Sequence, residues 1–269
     1  MGGAATREDG GLEGGTPARF FADRIVVLRA GGVGRGIALA CGAAGWEVWI
    51  AARRGPEAAA VADEVSTLGG RGRWVACDVS DEGSVQAALD EVASTSTGLD
   101  GIVHNATSGF SSQAGPIADI TLAQLEDHVA VASRGLYLLA RHGHPLLAAQ
   151  RGSMVVMTSE AGFEGKRLLA AYAMVKAQQR SLVSVLAREW GPSGVRLNAV
   201  APLAASPAME RAFVADPAME QRVMGRIPLG RLGDAAADIG VAVRFLLGDD
   251  AHFVTGQTLM VDGGSCPAP

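Results

Sequence analysis

From position 24 onward one pattern repeats: a short apolar run, a loop, then a stretch whose apolar residues recur at helical spacing. The runs are "RIVVL" (24–28), "EVWIAA" (47–52), "RWVACDV" (73–79), "LDGIVHNA" (99–106), "GSMVVMTS" (152–159), "GVRLNAVAP" (194–202) and "QTLMVDGG" (257–264). Each is the length of a strand, and most are apolar throughout, as expected for strands covered on both faces. Helices are predicted from the glycine loop to about 45, over 56–68 with Pro56 in its first turn, and from a Ser80 or Asp81 cap to Ser96. Further helices are predicted from a Thr121 cap to about 144, over 170–190 and over 235–247, with an irregular stretch at 203–232. Strands alternating with helices predict a single α/β domain: a doubly wound, seven-stranded parallel sheet with helices on both faces. Ligands are then expected at the carboxyl ends of the strands. No repeat or linker divides the chain, so the domain is expected over 21–269, after a flexible tail at 1–20.

Composition narrows the function. Of 269 residues, 48% are hydrophobic and 19% charged, which suits a compact enzyme better than a disordered chain. A net charge of −5 gives no basic surface for nucleic acid. No apolar run is long enough to cross a membrane, and residues 1–18 lack the apolar core of a signal peptide, so a cytoplasmic protein is expected. Cys41, Cys77 and Cys266 are scattered without metal-ligand spacing, so no metal is expected, and the thiols are read as reduced.

Three features carry chemistry. "RAGGVGRG" (29–36) is a glycine-rich loop between the first strand and the first helix, where backbone amides can cradle a phosphate. Tyr172 and Lys176 lie four apart in "YAMVK", on one face of a helix. An ammonium near a phenol lowers its pKa, and such a phenol can exchange a proton with a carbonyl or alcohol oxygen. Ser159 ends the fifth strand, where its hydroxyl can hydrogen-bond the same oxygen.

Taken with "CDVSD", "VHNA", "VRLNAVAP" and "PLGRLGDAAADIGVAVRFLLGDDAHFVTGQTLMVDGG", these motifs make positions 24–264 resemble the short-chain dehydrogenase/reductase family. The C-terminal stretch is closest to its ketoreductase and acyl-carrier-type reductase members. The resemblance implies a Rossmann fold and gives each motif a role. Tyr172 would be the general acid/base, Lys176 would hold the nicotinamide ribose, and Ser159 would position the substrate carbonyl. Asp78 and Val79 would meet the adenine. Asn105 and Ala106 belong to the family's Asn-Ala-Gly motif, Asn105 either stabilising the strand end or touching the cofactor. Gly31, Gly34 and Gly36 would form the phosphate loop, and Pro202 would border the nicotinamide. After the second strand stands Ala52 rather than an acid, followed by Arg53. An acid there would bind the ribose diol of NAD, whereas a guanidinium suits a 2′-phosphate, so NADPH is the expected cofactor. The alternative is a solvated arginine pair.

Four positions depart from the family pattern. Arg29-Ala30 replaces Thr-Gly at the loop start, and Arg29 either clashes with a pyrophosphate or contacts it. Arg35 takes an apolar position, where its charge would favour phosphate. Ala132 stands where the family has an asparagine supporting a water that links the lysine to solvent, and Ser133 faces elsewhere on the helix. Pro202 is followed by Leu203 instead of glycine, and Pro207 replaces a threonine that would contact nicotinamide, with Ser206 adjacent.

Two readings remain open. The first is an NADPH-dependent oxidoreductase acting on a ketone or alcohol of a small, mostly apolar, polyketide-like substrate of secondary metabolism. The second is a non-redox protein on the same fold: a cyclase, isomerase or dehydratase using Tyr172, or a ligand-binding partner protein. Substrate walls are expected from Ser108, Phe110, Phe163, Leu168, Leu169, Leu203, Met209 and Phe213. Lys166 and Arg167 either attract an anionic substrate or form an ordinary solvated pair. By resemblance, the two long helices and the last strand would pair copies into a homotetramer or homodimer.

Overall fold

The computed structural model describes residues 24–266 except 96, 97, 112, 207, 208, 211, 212 and 215, with only the backbone at 217. The tail expected at 1–20, the helix end expected at Ser96 and the substituted Pro207 lie outside the described residues. The strands are β1 (Arg24–Leu28), β2 (Glu47–Ala52), β3 (Arg71–Ala76), β4 (Gly101–His104), β5 (Ser153–Met157), β6 (Arg196–Pro202) and β7 (Thr258–Val261). They form one seven-stranded parallel sheet in the order β3-β2-β1-β4-β5-β6-β7. The predicted Rossmann-like doubly wound architecture is the one observed.

The two-residue period of a strand divides the core. Ile25 and Val27 pack on one face with Ile37, Cys41, Val65 and Leu246. Val26 and Leu28 pack on the other with Leu89, Leu136, Leu139 and Val183. Helices α1 (Val33–Gly42), α2 (Gly55–Thr67) and α9 (Val241–Leu247) cover the first face. Helices α3 (Glu82–Ala93), α5 (Gly135–Gln150) and α7 (Ala170–Trp190) cover the second. Strand order reverses between β1 and β4, which opens a crevice between their carboxyl ends.

Several elements differ from expectation. The helix predicted to end near 144 starts as α4 (Leu122–His128), passes through a π-helical turn at Val129–Arg134 and continues as α5 to Gln150. Pro145 lies inside it, and the buried face carried by Leu136 and Leu139 resumes beyond it at Leu147, so packing keeps the helix going. A short helix, α6 (Ala161–Glu164), forms after β5. The stretch expected to be irregular contains α8 (Pro217–Met224), capped by the Asp216 side chain on Met219 N. The last helix opens with a π turn at Ala235–Gly240, capped by Asp234 Oδ1, which accepts from Ala236 N at 2.8 Å and Ala237 N at 2.7 Å.

Two glycines of the loop are required by packing. A Cβ on Gly34 would lie 2.3 Å from the Arg29 carbonyl oxygen and 2.6 Å from Asn105 Nδ2. A Cβ on Gly36 would lie 2.3 Å from the carbonyl of Ala235. These are backbone obstacles, except the Asn105 amide, so the contact cannot be relieved by a rotamer change. Gly36→Ala is expected to destabilise the protein by roughly 1–3 kcal/mol through overpacking. Urea unfolding checks this, and an unchanged midpoint would show that the π turn yields freely.

Candidate active site

Tyr172 and Lys176 project from the first two turns of α7 toward the carboxyl edge of the sheet, beside Ser159, which follows β5. The Tyr172 phenol is hydrogen-bonded with the Ser159 hydroxyl. Ser159 Oγ also accepts from Ala161 N at 3.2 Å, which holds it at the start of α6. Lys176 is only 4% exposed, and its ammonium stands 5.6 Å from the Tyr172 ring centre. It donates to the Met157 carbonyl at 2.7 Å and to Gln179 Oε1 at 3.0 Å.

Burial governs the titration of this pair. It pushes Tyr172 above its ordinary value; Glu160 acts the same way, while the Ser159 hydrogen bond and the Arg29 charge oppose it. Burial pushes Lys176 down to about 7, and Arg29 adds to the effect. The expected lowering of the phenol by Lys176 is therefore not what the structure shows. The cation that pulls Tyr172 down is Arg29, at the end of β1.

The crevice opened by the reversal of strand order lies above β1 and β4. Arg29 has a φ of 79°, an uncommon conformation for a residue with a side chain, and its N–H donates to Ala51 O at 2.9 Å. Gly31 and Gly32 face open space: a Cβ on either would meet nothing within 4 Å. The ten-residue helix α1 starts without a side-chain cap and without an acid in its first turn. An open, uncapped helix start with glycines before it fits a pyrophosphate. Farther along the edge, Arg53 Nη1 lies 3.9 Å from Asp78 Oδ2, and Asp78 Oδ1 accepts from Ser80 N at 3.0 Å and Ser80 Oγ at 2.6 Å. Val79 is buried against Gly135.

Next to Tyr172 is a cavity of about 240 Å³, lined in part by Phe110, Ile120, Leu168, Leu169, Gln124 and His128. Gly115 N donates to Leu168 O at 2.8 Å, which joins the loop after β4 to the loop before α7.

Known proteins resemble the chain in sequence and fold. The family described as Enoyl-(Acyl carrier protein) reductase matches residues 27–265. The chain belongs to the short-chain dehydrogenase/reductase family. It is 32% identical over 251 residues to 2-dehydro-3-deoxy-D-gluconate 5-dehydrogenase of Pseudoalteromonas atlantica, which spans 91% of this chain and 97% of that protein. The structure of NAD+-bound xylitol dehydrogenase is similar with a TM-score of 0.84 and 26% identity, covering 91% of this chain and 100% of that one. A structure from Agrobacterium tumefaciens assigned as a 2-deoxy-d-gluconate 3-dehydrogenase with bound NADP has a TM-score of 0.80 and 27% identity, covering 91% and 97%. Short-chain dehydrogenases/reductases are oxidoreductases that use nicotinamide dinucleotides and act on small molecules. Among the described residues of this one, no helix is long and apolar enough to cross a membrane, and no side-chain cluster could hold a metal ion.

Within this short-chain dehydrogenase/reductase the expected site residues divide. Ser159, Tyr172 and Lys176 come together. Arg29, Gly31, Gly34, Asn105 and Ala106 border the crevice between β1 and β4, with Arg53, Asp78 and Val79 farther along the same edge; Pro202 ends β6. Phe110 and Leu168 line the cavity. Four placements are corrected, at Arg35, Ser108, Phe163 and Leu203. Arg35 is bonded to Glu64 in the last turns of α2, toward the amino edge of the sheet, and not to the phosphate loop. The Ser108 hydroxyl donates to Asp127 Oδ2 and accepts from Phe110 N at 3.0 Å, so it braces its own loop. The Phe163 ring is covered by the Arg180 guanidinium at 3.4 Å and faces a separate cleft between α7 and β7. Leu203 is buried as an extension of β6, its N–H donating to Val261 O at 3.0 Å. Met209 and Phe213 are half-buried on the segment after β6 and are not among the residues lining the cavity beside Tyr172. Ser206, adjacent to the substituted position, caps that segment by accepting from Met209 N at 3.1 Å. Lys166 is paired with Glu160 at 2.7 Å, and Arg226 with Glu164 at 2.9 Å, which ties the stretch after α8 to α6.

Three residues near the site were given no role by the family motifs: His104, which lies within "VHNA", and His128 and Gln179, which lie in none of them. His104 is fully buried; its Nε2 is 3.1 Å from the Ala132 carbonyl, and Nδ1 has no hydrogen-bond partner among the described residues. Burial, reinforced by the Lys176 charge and opposed by the Ala132 hydrogen bond, pushes its pKa down to about 3 from 6.5. Between those values the unfolded chain binds a proton that the native state refuses, so stability falls as pH falls through that window. One such histidine costs about 2 kcal/mol between pH 7 and pH 5. His104→Asn is expected to lose correspondingly less stability over that interval, read as urea midpoints at the two pH values. An equal loss in both proteins would remove His104 as the cause.

Proposed function

We propose that the protein is an NADPH-dependent oxidoreductase that reduces a ketone, or oxidises the corresponding alcohol, of a small and mostly apolar substrate. The observation that carries this reading is the meeting of Ser159, Tyr172 and Lys176 beside a cavity and next to an open glycine loop. The dinucleotide, when bound, supplies or accepts the hydride. Tyr172 Oη gives the proton to the carbonyl oxygen in reduction and takes it back in oxidation. Ser159 Oγ holds that oxygen by a hydrogen bond. Lys176, with one N–H left free of Met157 O and Gln179 Oε1, would hold the ribose. Phe110, Ile120, Leu168 and Leu169 exclude water from the reacting carbon, and Gln124 and His128 offer polar contacts to a substrate with one or two further oxygens. These walls support a cyclic, polyketide-like ketone.

The preference for NADPH rests on Ala52 at the end of β2 and on Arg53 and Arg54 after it. Arg53 is mostly exposed and, among the described residues, is paired with Asp78 at 3.9 Å, whereas Arg54 is paired with Glu57 at 2.8 Å. Arg53 therefore suits a 2′-phosphate better. Exposed Tyr137 on α5, Met174 and Val185 on α7 and Leu259 on β7 support pairing of copies through these elements into a dimer or tetramer.

Calorimetric titration with NADPH and NADH tests the reading. Micromolar NADPH binding and weaker NADH binding are expected, and Arg53→Ala should weaken NADPH about tenfold while leaving NADH unchanged. Absence of binding by either at millimolar concentration would overturn the redox reading in favour of a non-redox role for Tyr172. Given a ketone that is turned over, Tyr172→Phe should lower kcat by about a hundredfold or more while NADPH affinity is kept. Unchanged turnover would remove Tyr172 as the acid/base.

A further inference from the structure

The family's asparagine is replaced by Ala132, whose position is buried within the π turn between α4 and α5. A water supported by that asparagine would link the lysine to solvent. In this chain the space between Lys176 and the Ala132 carbonyl is bridged by a side chain. Gln179, one turn after Lys176 on α7, is 1% exposed. Its Oε1 accepts from Lys176 Nζ at 3.0 Å, and its Nε2 donates to Ala132 O at 3.1 Å. The same carbonyl faces His104 Nε2 at 3.1 Å, so the imidazole acts as the second donor to it. The amide thus has an acceptor engaged by the ammonium and a donor engaged by the backbone, which fixes its orientation without ambiguity of flip.

We propose that Gln179 is a positioning residue that stands in for the asparagine-supported water: its amide clamps Lys176 to the Ala132 carbonyl and closes the lysine's route to solvent. This rests on reading Lys176 as the residue that holds the ribose beside Tyr172. The clamp matters because Lys176 has a four-carbon stem with high rotamer freedom. Two fixed acceptors, Met157 O and Gln179 Oε1, leave one N–H for the ribose. A carboxamide hydrogen-bonds but does not pass protons as water does. The proton used by Tyr172 is therefore exchanged on the substrate side, through the cavity, and not through α4 and α5. Ser133 does not replace the lost relay, since its hydroxyl is turned to Gln178 at 2.6 Å on the exposed side of the helix.

The test uses the ligand-free protein and so does not depend on redox activity. The chain has only two lysines, Lys166 and Lys176. With 13C-labelled lysine the ammonium-bearing carbons give two signals, assigned by Lys166→Arg, and their pH titration reports Lys176 directly. The charged and titratable groups facing Lys176 are Arg29 after β1, His104 on β4, His128 on α4 and Tyr172 on its own helix; they are unchanged in the variants. Gln179→Met keeps the volume but removes the acceptor, and is expected to lower the Lys176 midpoint by about half a unit or more. Gln179→Glu restores an acceptor and adds a charge, and is expected to raise it by about one unit or more. With NADPH as the probe, Gln179→Met should also weaken binding several-fold, and Gln179→Glu should recover part of it. Lys176 titrating alike in wild type and both variants, with thermal unfolding unchanged, would overturn the clamp. If wild type fails to bind NADPH while the lysine shifts appear, the redox reading fails and the clamp stands.

Discussion

The close approach of helix α1 to the ends of β1 and β4 is the constraint on which the site depends. With no side chain at Gly34, the helix start sits against the Arg29 carbonyl and the Asn105 amide. With none at Gly36, the next turn sits against the Ala235 backbone. This places an uncapped helix start over the point where strand order reverses, the one place in a doubly wound sheet where neighbouring loops diverge and leave a crevice. The open surface at Gly31 and Gly32 follows from the same seating. Arg29 and Ala30 are accommodated because the loop changes at its start, where the backbone takes a left-handed conformation at Arg29, and not at the two glycines in contact.

The replacement at Arg29 alters the electrostatics of the site more than its shape. Burial raises the phenol of Tyr172 and lowers the ammonium of Lys176; the Arg29 guanidinium opposes the first shift and adds to the second, so a single cation acts on both members of the pair. Lys176 is withdrawn into a dry pocket of carbonyl and amide oxygens. The glycine loop thus contributes a positive field through Arg29, and the Lys176 ammonium is held by Met157 O and Gln179 Oε1.

Much of this was legible along the chain because it is written in local patterns. Apolar runs, the glycine loop and the Tyr-Lys spacing specify strands, a helix start and a shared helix face through contacts within a few residues. Helix ends were less legible: Pro145 signals a stop, but a buried face continuing to Leu147 overrides it. Substrate-wall assignments were the least legible. Phe163 and Phe110 both follow strand ends in loops of similar composition, yet α6 turns Phe163 under Arg180, and the loop after β4 brings Phe110 to Tyr172. Arg35 reads as a phosphate ligand by position, and only the packing of α1 on α2 shows that Glu64 holds it.

Gln179 marks the boundary between the two kinds of information. The sequence by itself determined the parallel sheet through its apolar runs, and by the resemblance of its motifs it pointed to the family and to Ser159, Tyr172 and Lys176. By the same resemblance it put Ala132 where the family pattern has an asparagine. That Gln179 reaches the carbonyl of Ala132, and that His104 shares it, was decided only by tertiary structure. Those three residues lie on β4, the π turn and α7, and they meet because an unpaired polar atom is costly in the dry interior; the Ala132 carbonyl satisfies His104 Nε2 and Gln179 Nε2, while His104 Nδ1 stays without a partner among the described residues. Local pattern specifies which elements form; the requirement that buried donors and acceptors be matched specifies which distant side chains complete the site.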